Sequence, residues 1–99
     1  MSELDKLEKY LKEKRYRYKR IKEALGMNPW MRGYEVNQII VYDENGDQQW
    51  DAICHRGSYG FEQGLIEVMG KPVARSEEDR VEGDLTAEEI IQRLEEKNE

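Results

Sequence analysis

The sequence predicts a single α+β domain: an N-terminal helix, a central antiparallel β-hairpin or small sheet, and two further helices packed on it. Three observations lead there. Capping boxes of the Ser/Thr-x-x-acid form stand at both ends of the chain, Ser2 with Asp5 and Thr86 with Glu89. A turn signal, Asp43-Glu44-Asn45-Gly46, separates two stretches rich in β-branched and aromatic residues. At 99 residues the chain has enough surface to bury for one core and too little for two, so residues 1–99 form one domain.

The first helix is expected to begin at about Glu3, with Leu4, Leu7 and Leu11 at helical spacing. Tyr18, Ile21 and Leu25 resume the same phase, and Gly26 offers a stop. The stretch from Arg15 to Ile21 also alternates with period two. Two readings follow: one long helix, or a helix, a break near Arg15 and a short strand. Residues 28–33, with Pro29 and Gly33, read as a loop whose Trp30 and Met31 fold back on the core.

In the hairpin the turn is either a type I turn with Gly46 in the left-handed position or a two-residue Asn-Gly turn, and the two differ by one residue in register. On the second strand Trp50, Ala52 and Cys54 share one face and Asp51, Ile53 and His55 the other, because strand side chains alternate. The first set is the expected core face. Ser58 is expected to cap a helix whose stripe is Phe61, Leu65, Ile66, Val68 and Met69, ended by Gly70, with Gly60 and Gly64 allowing a close approach to the sheet. Residues 71–84 read as a polar, mobile loop anchored by Val73 and Val81, with a short strand around Val81. In the last helix Leu85 and Ile90 form a hydrophobic staple, and Ile90, Ile91 and Leu94 are its buried face.

Composition narrows the function. Residues 1–33 hold ten Lys and Arg against five acids, whereas residues 34–99 hold six against seventeen, within a net charge of −6. This division suits weak homodimerisation, or a partner bearing both signs of charge, better than a nucleic-acid clamp. Seven basic residues between Lys12 and Lys22, interleaved with Tyr16 and Tyr18, would suit single-stranded nucleic acid, but the acidic remainder opposes a polyanion. A single cysteine and the lack of a signal-like opening favour a cytoplasmic setting. Apolar runs reach only four residues, so no membrane contact is expected.

The unusual side chains gather after the turn: Asp51, Cys54, His55, Arg56, Ser58 and Tyr59. Cys54-His55 invites a nucleophile and base, yet neighbours on a strand point to opposite faces, so no catalytic residue is assigned. One Cys and one His fall short of a zinc site, and neither a metal nor a cofactor is implied. A corner of His55, Arg56, Ser58 and Tyr59 at a helix start, with Asp51 nearby, would bind an anion or a partner carboxylate.

The runs Ile39 to Asp43, Gln49 to His55, Gly57 to Gly60, Gly64 to Gly70 and Leu85 to Ile91 resemble small uncharacterised proteins encoded by phages and mobile elements of Gram-positive bacteria. That resemblance covers residues 36–94 and carries no catalytic residues. It implies a non-enzymatic binding protein acting on another protein, of host or phage, as an inhibitor of a host defence nuclease or as an accessory factor. The alternative from a different class is a small-molecule or nucleotide-binding domain that uses the corner from His55 to Gly60.

Overall fold

The computed structural model describes residues 2–25, 34–55, 58, 60–70, 73, 74 and 81–97. Its main element is a five-stranded antiparallel sheet in the order β1-β2-β3-β4-β5, built from β1 (Arg17–Leu25), β2 (Tyr34–Tyr42), β3 (Gln48–Ile53), β4 (Ile66–Met69) and β5 (Val81–Leu85). Helix α1 (Glu3–Glu13) precedes the sheet and α2 (Ala87–Lys97) follows it.

Helix α1 starts where its capping box sets it: the Asp5 amide donates to Ser2 Oγ at 3.1 Å, and Asp5 accepts in return from the Ser2 amide. It ends at Glu13. The Tyr16 amide reaches back to the Leu11 carbonyl and that of Arg15 to Lys12, a Schellman closure with Arg15 left-handed at φ 60°. The chain then reverses into β1, so the helix-break-strand reading of residues 15–21 is the correct one. In the hairpin turn the Gly46 amide donates to Asp43 O, while Asp43 Oδ1 accepts from the amides of Asn45 and Asp47. Gly46 takes φ 86° while Asn45 keeps a negative φ, which settles the type I form against the two-residue Asn-Gly turn, and a bulge between Val41 and Tyr42 absorbs the extra residue.

The expected three-helix arrangement is overturned, because the helix over residues 58–69 does not exist. Its place is taken by a single 3-10 turn, Phe61–Gln63, and by β4. Gly60 and Gly64 flank that turn, both with positive φ, and stop a helix from propagating through it. From Ile66 the alternation of buried Ile66 and Val68 with Glu67 and Met69 is a strand pattern, and β4 pairs with β3 through Ala52 opposite Val68. The strand anticipated near Val81 is present as β5, and Val73 is fully buried. Expectations for Gly26, for the loop 28–33 and for residues 71, 72 and 75–80 lie outside the described residues.

Both helices cover one face of the sheet. Leu4, Leu7, Leu11, Ile90 and Leu94 form a single cluster with Ile39, Val41, Trp50, Ala52, Ile66 and Val68, all on the same side of their strands. Trp50, 2% exposed, is the largest of them, and its face was the one expected. Thr86 and Glu89 complete the second capping box, and Leu85 and Ile90 are both buried as the staple requires.

One row across the sheet sets the layout: Arg20, Ile39, Ala52, Val68 and Glu82 lie side by side on β1 to β5. Its centre is apolar and its ends are charged. Arg20 donates to Glu8 of α1 at 3.0 Å and to Asn37 at 2.7 Å and lies 3.2 Å from Asp5. On the far side Arg93 of α2 grips both Glu82 oxygens at 2.7 and 2.9 Å and donates to the Val73 carbonyl at 2.6 Å. Each arginine side chain is only 13% exposed.

Two outcomes follow. Trp50→Ala should lower stability by about 3 to 5 kcal/mol, the usual cost of deleting a large core aromatic, read by urea unfolding. Arg93→Met keeps the packing of the stem but removes the three Arg93 bonds to the Val73 carbonyl and Glu82, and should cost about 1.5 to 3 kcal/mol in the same assay.

Candidate functional site

The two helices run side by side in the same direction. Glu3 of α1 accepts from the Ala87 amide at the start of α2, and Tyr10, two turns on, donates to Glu95 near the end of α2. Their N-terminal ends therefore lie together at one end of the sheet, with the corner after β3, and their C-terminal ends at the other, with the β2–β3 turn.

The corner is closed upon itself. Ser58, which is buried, donates from its hydroxyl to the His55 carbonyl at 2.6 Å and accepts from the His55 amide at 3.1 Å. That is a turn lock rather than a helix cap. Residues 60–70 form a 3-10 turn and β4 rather than an α-helix, so the helix dipole invoked for an anion site has no source there. Asp51 lies on the sheet face away from the helices, where Gln38 Nε2 donates to it at 2.8 Å, while His55 Nδ1 accepts from the Asn37 amide at 3.5 Å. Arg56 and Tyr59 lie outside the described residues.

Cys54 is half-buried against the core, and burial, assisted by the Glu3 charge, pushes its thiol pKa up. That shift lowers the thiolate fraction on which nucleophilic chemistry depends. Among the described residues no three His, Cys, Asp or Glu side chains converge as a metal site. Among them too, no helix is long and apolar enough to cross a membrane.

The helix N-termini that could attract an anion are supplied by the chain itself. Glu3 takes the Ala87 amide at 2.9 Å and the Lys6 ammonium at 2.8 Å, which hold its carboxyl below the usual range, with Lys6 the larger influence. Asp5 is held low in the same way, first by Ser2 and then by Arg20. Nor do the basic residues of the 12–22 segment form one surface. Strand alternation turns Arg20 toward α1 and its acids and sends Lys19 to the opposite face.

The structure builds a different site at the C-terminal ends of the helices. An open groove of about 600 Å³ is lined by Tyr10, Lys14, Arg15, Tyr16, Tyr42, Asp43, Glu44, Gln49 and Glu95. The rings of Tyr10 and Tyr16 lie 6.3 Å apart, tilted by 37°, and the Lys14 ammonium sits 6.0 Å from the Tyr10 ring centre. Burial, with the Glu95 carboxylate beside it, pushes the Tyr10 pKa up to about 12. Asp43 is occupied by its turn, so Glu44 and Glu95 supply the available negative charge and Lys14 and Arg15 the positive. Sequence reading missed this groove, for its tyrosines come from the end of α1, the break after it and the end of β2. The one local hint was the basic, tyrosine-bearing segment around residue 16.

No family model, curated protein or solved structure matches the chain.

Tyr10 provides a pH test of this geometry. Its folded pKa lies above the unfolded value near 10, so the native state holds the proton more tightly. The resulting stability is complete below about pH 10 and is lost as pH rises toward about 12. In an alkaline absorbance titration, Tyr10→Phe should remove the latest-forming phenolate and flatten the fall in stability across that window.

Proposed function

We propose that the protein is a non-enzymatic binding module that grips an extended segment of another protein in the tyrosine groove. The observation that carries this reading is the groove's composition: three tyrosine rings flanked by Lys14 and Arg15 on one hand and by Glu44 and Glu95 on the other. Tyrosine offers a broad apolar surface with a polar tip at little entropic cost, which is why it recurs at protein contact sites. Carboxylates among the rings repel phosphates and attract Lys or Arg, whose cations also favour an aromatic face. The negative ends of two helix dipoles reinforce that preference. Lys14 and Arg15 complement an acid on the same segment. The ligand class is thus a peptide stretch with both signs of charge rather than a nucleic acid.

Holding a partner without chemistry of its own is how an inhibitor or accessory factor acts, and we assign the protein to that class, in a reducing cytoplasm compatible with one half-buried cysteine. The small-molecule or nucleotide-binding alternative at the corner from His55 to Gly60 lacks the helix expected to begin at Ser58, which favours the groove reading.

Fluorescence titration with an array of short peptides varying in Tyr, Arg and Glu content tests the proposal. Peptides with both charges should bind, oligonucleotides should not, and Tyr42→Ala or Glu95→Gln should weaken binding about tenfold, equivalent to about 1.4 kcal/mol. Peptide binding unaffected by both substitutions, or binding of oligonucleotides alone, would sink it.

A further inference from the structure

The sheet face turned away from the helices has the wrong composition for a surface bathed only in water. Antiparallel sheets with one solvated face alternate apolar inward and polar outward. Here the outward residues form a row of Lys19, Ile40, Asp51, Met69 and Val81 and a neighbouring row of Ile21, Gln38, Ile53 and Glu67. Five of these nine are apolar. None of the five belongs to the core cluster, and Met69 is 52% exposed. Among the described residues, neither helix lies on this side.

The charges on the face are arranged rather than scattered. Lys19, with Arg17 on the same side of β1, makes one margin positive, whereas Asp51 and Glu67 make the region beyond the midline negative. A two-fold axis along the strands between β2 and β3 lays β1 of one copy over β4 of the other. Lys19 of each copy then meets Met69 with its stem and Glu67 with its ammonium, twice by symmetry, and the isoleucines close between. A partner of one charge sign would match only half of this face; a second copy matches both halves.

We propose that two copies of the chain pack these open sheet faces together as an isologous dimer, the sheets about 10 Å apart as in a β-sandwich. The four strands β1 to β4 that overlap span roughly 15 Å, which places the contact at the small end of specific interfaces, so the dimer is weak and strengthened by its charge pairs. The contact uses a different face from the groove, and either assignment stands or falls without the other.

Sedimentation equilibrium of the full chain gives the test. The native chain should dimerise, and its dissociation constant should rise between about 0.1 M and about 1 M salt, as the screening length shrinks from about 10 to about 3 Å. Lys19→Glu alone and Glu67→Lys alone should each weaken the dimer about tenfold or more. An equimolar mixture of the two variants should restore it, because Glu at 19 on one copy then faces Lys at 67 on the other and the native pair survives on the opposite side. Met69→Lys should dissociate it at all salt concentrations. A native chain that stays monomeric, or a dimer indifferent to all three substitutions, would overturn the proposal. The salt series on the native chain decides even if a variant fails to fold.

Discussion

Two helices have to cover five strands, and the ionic ends of one cross-sheet row are what make that possible. A pair of packed helices spans about 20 Å and five strands span about the same, so the apolar contact is deepest over β2 to β4 and thins at both margins. At one margin Arg20 stands inward on β1 and finds Asp5 and Glu8 on α1; at the other Glu82 stands inward on β5 and finds Arg93 on α2. Between them Ile39, Ala52 and Val68 are fully buried. Ala52 at the centre of the row and the much larger Trp50, two residues earlier on the same face, are both buried in this cluster. Charged groups so lightly exposed would be costly alone, but each arginine is held by several acceptors, and so the margins act as clamps that fix the position of each helix.

The strand count sets the polarity of the helices. With α1 preceding β1 and α2 following β5, an odd number of antiparallel strands lies between the helices, and they must run in the same direction. Like dipole ends then gather, and the chain treats the two gatherings differently. At the N-terminal end it spends its own carboxylates, Glu3, Asp5 and Glu89, on the amides there. At the C-terminal end it places tyrosines. Aromatic surface consequently lines the groove at that pole, beside Lys14, Arg15, Glu44 and Glu95.

Local signals made part of this legible. Capping boxes and leucine spacing located α1 and α2, and the Asp43–Gly46 turn located the hairpin, because each is decided by residues within a few positions of one another. Residues 58–69 misled because Phe61, Leu65 and Met69 satisfy helical spacing while Ile66 to Met69 also alternate; pairing with Ala52 and Ile53, distant in sequence, decided the matter. The alternation of Arg15 to Ile21 was likewise ambiguous until Arg20 found Asn37 and the acids of α1. The groove went unread for a related reason. A density of unusual residues along the chain drew attention to residues 51–59, whereas the groove collects residues 10–16, 42–49 and 95, which only the completed fold brings together.

One strained backbone position lies at the same pole. Arg15 and Asp84 are the two non-glycine residues with positive φ among those described. Aspartate tolerates that region, and Asp84 lies directly against Gly60, where a β-carbon would come within 2.9 Å of its carboxylate oxygen. Arginine has no such tolerance. The Schellman closure after α1 calls for glycine at position 15, and an L-residue there costs roughly 1 kcal/mol or more. The backbone hydrogen bonds of the closure do not need the guanidinium, which instead contributes a cation to the groove wall beside Lys14 and Tyr16. A position that the fold would fill better with glycine thus carries a residue that lines the aromatic groove, a placement that accords with the role proposed for that groove.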